Sequence, residues 1–175
     1  MSTGAWFHCG AGTAGDMTLA SLVDAGADSL QVIEILGGLA LDDYALMFER
    51  TQRAGVGATR AIVAVHKHDH HEHDHHRAWR DIKKLLNDSE LPTRVRDRAQ
   101  KVFAVLAEVE ANIHCVAIDD IEFHEVGSVD AIVDIVGVCA ALEVLNVDRI
   151  FCSNIAVGHG NINSAHGTLP NPAPA

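Results

Sequence analysis

The chain has 175 residues, of which 48% are apolar and 21% charged, with a formal net charge of −11. That is about one domain with enough apolar side chains for a core, which excludes intrinsic disorder over most of its length. No apolar run is long enough to cross a bilayer and no signal-like segment opens the chain, so neither a membrane protein nor a secreted precursor is expected. Cys9, Cys115, Cys139 and Cys152 form no CxxC pair. A reduced cytoplasmic chain is the simplest expectation. Beyond residue 101 Arg149 is the only cation against ten acids. Such a surface repels a phosphate backbone and makes nucleic acid an unexpected partner. The basic residues gather at 77–101, alternating with acids in the manner of a solvated helical face.

In chain order, Ala5–Cys9 reads as a short strand running into glycines. Asp16 is the expected cap of a helix carrying Met17, Leu19, Ala20, Leu22 and Val23, which Gly26 stops. A second helix is expected from a Ser29 cap to Leu36, ended by Gly37 and Gly38. Tyr44–Gln52 and Thr59–His66 flank Ala54-Gly55-Val56-Gly57 and predict a β-hairpin. Residues 66–76 break every periodicity, with seven histidines in eleven positions, and predict a mobile loop. Trp79, Ile82 and Leu86 begin a helix. Pro92 suits the first position of the next, whose Val95, Ala99, Val102, Leu106, Val109 and Ile113 predict one buried stripe. A helix apolar nearly all round runs from a Ser128 cap to about Leu145, and such a helix belongs at the centre of a fold. Phe151–Ile162 is expected to be a last strand, with an extended Pro-rich end. The fold class expected is α+β: one domain over 1–175, with a mixed β-sheet packed by helices around the 128–145 helix.

Three segments carry chemistry. Gly10-Ala11-Gly12-Thr13-Ala14-Gly15 matches a dinucleotide-binding fingerprint, but no acid ends a second strand at the required distance. A tight strand-to-helix turn, able to approach a ligand closely, is the plainer reading. The histidine tract (His66, His68, His70, His71, His73, His75 and His76) mixes imidazoles with carboxylates, a composition suited to capturing nickel or zinc. The sharpest signal is His124-Glu125 followed by Asp130 and Asp134, which lie one turn apart on a helix that otherwise buries its surface. Like charges at that spacing repel, and buried carboxylates are costly without a partner. His124, Glu125, Asp130 and Asp134 are the candidate catalytic set. Gly12, Gly15, Asp16, His159 and His166 are candidate substrate-binding residues, being on or beside glycine-flexed backbone.

Taken together, Gly12–Met17, the histidine tract before Arg80-Asp81-Ile82, His124-Glu125-Val126-Gly127 with Asp130 and Asp134, and Ala165–Pro170 with Pro172–Ala175 are similar to the LarC family of nickel pincer cofactor biosynthesis proteins. The likeness covers the whole chain but only the N-terminal part of that family. It implies a lyase-type nickel insertase that metallates a pyridinium-3,5-bisthiocarboxylic acid mononucleotide to form the cofactor of lactate racemase. It also implies CTP, with manganese or magnesium, acting through a C-terminal CTP-binding part absent here and supplied in cis or in trans. A homo-oligomer is compatible with the reading. His8 stands where the family usually has Asp, Ala11 where it has Ser, and Asn171 where it has Val. From a different class, the tract alone would serve a non-catalytic nickel reservoir or metallochaperone.

Overall fold

The computed structural model describes residues 2–42, 44–65, 77–123, 126–164 and 167–172. Its order is β1 (Thr3–Phe7), α1 (Gly15–Asp24), α2 (Ser29–Leu36), β2 (Tyr44–Arg53), β3 (Val56–Val65), β4 (Arg77–Ala78), α3 (Trp79–Asp88), α4 (Thr93–His114), a 3-10 turn (Ile118–Asp120), β5 (Glu122–Phe123), α5 (Val129–Val144), β6 (Val147–Cys152), β7 (Asn161–Ser164) and β8 (Gly167–Pro170). The α+β class holds. Among the described residues the strands fall into four two-stranded sheets: β1 with β6 in parallel, and β2 with β3, β4 with β5 and β7 with β8 antiparallel. The one mixed sheet that was expected is therefore divided: among the described residues the hairpin strands pair only with each other, and β1 takes its partner from β6.

The central helix is α5. Ser128 caps it, its hydroxyl oxygen accepting the Ala131 N–H at 3.2 Å. Ile132, Val133, Val136, Gly137, Cys139, Ala140, Ala141 and Leu142 are all buried. α1, α2, α4 and the hairpin pack around it. Gly137 permits the close approach of α1, since a Cβ there would lie 2.9 Å from a methyl of Leu19. Phe103, Phe123, Leu36, Ile82 and Leu86 complete the core. Each such side chain contributes roughly 1.5–3 kcal/mol when fully buried.

Several boundaries differ from expectation for local reasons. β1 starts and ends two residues earlier than Ala5–Cys9. Ala14 rather than Asp16 is the N-cap of α1, and Asp16 sits in its first turn, Oδ1 accepting the Met17 N–H at 2.7 Å. Asp28 rather than Ser29 caps α2, accepting the N–H groups of Leu30 and Gln31. The hairpin turn is only Ala54-Gly55, with φ of 49° and 80°. Positive φ at both central residues matches strand twist, so Val56 and Gly57 are released into β3. Pro92 is the cap of α4, not its first residue. The buried stripe of α4 is Val95, Ala99, Phe103, Ala107 and Ala111, whereas Val102, Val109 and Ile113 are exposed. The alanines let α4 lie close to its neighbours, and the strict four-residue step rotates the stripe off the valines. The last strand was expected at Phe151–Ile162. β6 instead ends at Cys152, with β7 and β8 forming a separate hairpin.

Candidate functional site

β1 delivers the chain into the Cys9–Ala14 turn, closed by the Gly12 N–H donating to the Cys9 carbonyl at 3.0 Å. Gly12 has φ +88°, a conformation that a side chain would strain. The segment after β6 runs alongside, because the Ala156 N–H donates to that same carbonyl at 3.1 Å. The Ala156 carbonyl oxygen lies 3.3 Å from where a Cβ on Gly12 would be. His159, exposed, follows three residues later, just past Gly158 at φ +76°.

The turn ends at Gly15, where α1 meets α5. A Cβ on Gly15 would fall 2.5 Å from Asp134 Oδ2 and 2.7 Å from its Cβ, so only glycine lets the carboxylate occupy this place. Asp134 is half-buried, and among the described residues its buried Oδ1 has no hydrogen-bond partner. Burial, then the charges of Asp130 and Asp16, push its pKa up from 3.8 to about 6, with the Asp16 backbone amide opposing in part. The N-terminus of α1, a region of partial positive charge, thus points at Asp134. Asp16 and Asp130 are exposed. Among the described residues no arginine or lysine forms an ion pair with any of the three acids, and no set of three or more His, Cys, Asp or Glu side chains is disposed to hold a metal ion. The trio can take up a proton, a hydrogen-bond donor or one cation shared with an incoming ligand.

Gly15, Asp16, Asp130 and Asp134 therefore come together, with Gly12 on the same turn. His124, Glu125, His166 and the tract His66, His68, His70, His71, His73, His75 and His76 lie outside the described residues. Their flanks are described. β4 begins at Arg77, directly after His76, and pairs Arg77 with Phe123, directly before His124. The Arg77 guanidinium donates to the Gly127 carbonyl at 3.1 Å. A Cβ on Gly127 would come within 2.9 Å of the Arg77 nitrogen and 2.8 Å of the Phe123 carbonyl. One arginine thus ties the end of the histidine tract to both flanks of His124-Glu125. Sequence reasoning passed over Arg77 as one of many cations on a solvated face. Its only local signal was adjacency to the tract.

An acidic cluster at a glycine turn on an α+β scaffold suits a cationic or proton-donating ligand. The comparisons narrow it. Residues 5–175 match the family described as "Nickel insertion protein". The pyridinium-3,5-bisthiocarboxylic acid mononucleotide nickel insertion protein of Staphylococcus epidermidis is 42% identical over 175 residues, 100% of this chain and 43% of that protein. Its namesake in Staphylococcus saprophyticus is 45% identical over 175 residues, 100% of this chain and 44% of the relative. A putative nickel insertion protein of Geobacter metallireducens is 44% identical over 169 residues, 95% of this chain and 42% of the relative. No solved structure matches. The chain belongs to the nickel insertion protein family and spans less than half the length of the curated relatives it matches.

Proposed function

We propose that the chain is the part of a nickel insertase that presents the acidic glycine-turn site to a pyridinium-3,5-bisthiocarboxylic acid mononucleotide. The observation that carries this reading is end-to-end identity above 40% to proteins named for that reaction, together with an uncompensated carboxylate placed where only glycine leaves it room. Nickel is the substrate metal. Binding between two thiocarboxylates brings it against the ring carbon that separates them. Forming the carbon–nickel bond breaks that carbon's C–H bond and releases a proton, with nickel remaining divalent. Asp134 accepts the proton, since a carboxylate with a pKa of about 6 is ionised near neutrality yet more basic than an ordinary one. Asp16 and Asp130 hold the approaching cation electrostatically, and His124 and Glu125, which precede α5 in the sequence, complete the catalytic set. The Gly12–Gly15 turn, His159 and His166 bind the nucleotide. CTP with manganese or magnesium acts through the part of the relatives this chain does not cover, the product serves lactate racemase, and the setting is cytoplasmic.

The test joins this chain to the remainder of the Staphylococcus epidermidis relative and follows the nickel-dependent mass change of the thiocarboxylated nucleotide. Asp134→Asn should lower the turnover number by at least tenfold at pH 7 with the fold intact. Full activity in that variant removes Asp134 from the mechanism, and no activity in the parent chimera removes the insertase reading.

The seven-histidine composition of 66–76 favours a second role, nickel capture. Imidazoles ligate only when neutral, so capture should weaken as the pH falls through about 6.5. Deleting 66–76 should leave insertion intact at ample nickel if the tract only feeds the site. If the protein is a reservoir alone, the deletion removes nearly all nickel binding and there is no turnover to lose.

A further inference from the structure

The β1–β6 sheet is unfinished. Parallel strands are normally covered on both faces and flanked by further strands, because a bare pair leaves backbone groups and apolar side chains in water. Here one face, carrying Ala5 and Phe7, packs on the core. The other carries Trp6, 67% exposed, beside its register partner Phe151, 43% exposed, with the Arg149 guanidinium over the Phe151 ring at 5.1 Å.

The direction of the hydrogen bonds identifies the open edge. The Ser153 N–H donates to the Phe7 carbonyl at 2.9 Å. The Thr3 N–H donates to Asp148 Oδ2 at 3.0 Å and the Cys9 N–H to Ser153 Oγ at 2.8 Å. The odd-numbered residues of β1 thus turn their backbone groups toward β6. Strand alternation turns those of Gly4, Trp6 and His8 the opposite way. Among the described residues no strand pairs with that side. A groove of about 490 Å³ is lined by Thr3–Cys9, by Met17, Thr18 and Ser21 of α1 with Ala25 just after it, and at one end by Leu145 and Val147. Residues from both faces of β1 line the groove, as they must if it follows an edge rather than a face.

We infer that this edge is a strand-addition site, filled by an extended segment from the portion of polypeptide by which the relatives exceed this chain. The occupant follows from length. The Staphylococcus relatives match this chain over only 43–44% of their own residues, so more than half of each lies outside the match and can supply the missing strand. Main-chain pairing to Gly4, Trp6 and His8 would give affinity, with alternate side chains of the added strand set against α1. The inference does not depend on the nickel chemistry.

The test is residue-level hydrogen exchange on this chain alone and on a chimera in which it replaces the matched 175 residues of the Staphylococcus epidermidis relative. Strand addition predicts an alternating pattern. The amides of Gly4, Trp6 and His8 should slow by at least tenfold in the chimera, while those of Ala5 and Phe7, already paired with β6, change little. A photo-crosslinking residue at Trp6 should join the grafted portion within one chain. Unchanged exchange at Gly4, Trp6 and His8 overturns the proposal. So does protection already present in the short chain that grows with its concentration, or crosslinking only between chains, since either makes a second copy the occupant. If the chimera does not fold, the whole Staphylococcus epidermidis protein measured against its own matched part gives the same decision at the aligned residues.

Discussion

The two ends of α5 carry acids in opposite circumstances. At the C-terminal end Glu143 faces Arg94 at 3.5 Å and Arg98 at 3.9 Å. The same arginines donate to the Val147 carbonyl, and Arg94 also reaches Asp148 at 2.8 Å. These contacts tie α4 to α5 and to the start of β6. At the N-terminal end Asp134, Asp130 and Asp16 face one another, and among the described residues no arginine or lysine pairs with them. At Glu143 two long basic side chains offset the charge, although Glu143 Oε2 and Arg98 Nη1 are themselves buried without a hydrogen-bond partner among the described residues, so the contrast lies in charge and not in hydrogen bonding. Leaving three together uncompensated costs stability, and such costs concentrate where a ligand completes the charge balance.

The contrast can be broken from either end. The largest effect is expected from replacing both Arg94 and Arg98 by Met, which leaves Glu143 largely buried and unpaired. Stability should fall by about 2 kcal/mol, between the ranges for exposed and buried pairs because Glu143 and Arg94 keep part of their surface in water, read by urea denaturation. A loss below about 0.5 kcal/mol would show that solvent already satisfies Glu143.

Next is Gly15→Ala. The added methyl must displace the Asp134 carboxylate, at a cost of about 1–2 kcal/mol, in the range for overpacking. Combining it with Asp134→Gly should cost clearly less than the sum of the two single changes, because the carboxylate and the Cβ that the methyl would meet are both gone. Additive losses would mean that the methyl strains the backbone instead.

Asp134→Asn should act in the opposite direction and only above a threshold pH. The folded pKa is raised to about 6 from 3.8, so the native state holds the proton more tightly than the unfolded chain. Stability conferred by that proton is present below about pH 4 and is lost as pH rises toward 6. Above pH 6 the amide should therefore be more stable than the acid, by on the order of 1 kcal/mol once the half-exposed position and screening are discounted. Below pH 4 the two should coincide. A stability gain independent of pH would separate the effect from ionisation.

The smallest effect belongs to Lys84→Ala. Its ion pair with Asp88 is exposed on both sides, and the thermal unfolding midpoint should not move beyond the scatter of repeat measurements.

Some of this was legible in the chain. The apolar run from Val129 to Val144 could only be a central helix, and Ser128 could only cap it, since both follow from local pattern and hydrogen-bonding chemistry. The α+β class followed from the alternation of helical and strand periods, and the like charges at Asp130 and Asp134 marked the site, although Asp130 is exposed and only Asp134 is half-buried. What α1 brings to those carboxylates was decided by tertiary structure, because contact between Gly15 and Asp134 depends on how two helices cross at Gly137 and Leu19, and no local preference encodes a crossing. The same holds for the stripe of α4. Valine and alanine are both apolar in a sequence pattern, and only the distance to the neighbouring helix decides that Ala107 and Ala111 go inward while Val102 and Val109 stay out. Strand pairing was the least legible, since β1 and β6 stand far apart in the chain and no local pattern specifies a partner at that separation. Sequence by itself determined which segments bury; the mutual geometry of those segments, set by volume and backbone hydrogen bonding across long separations, determined what they bury against.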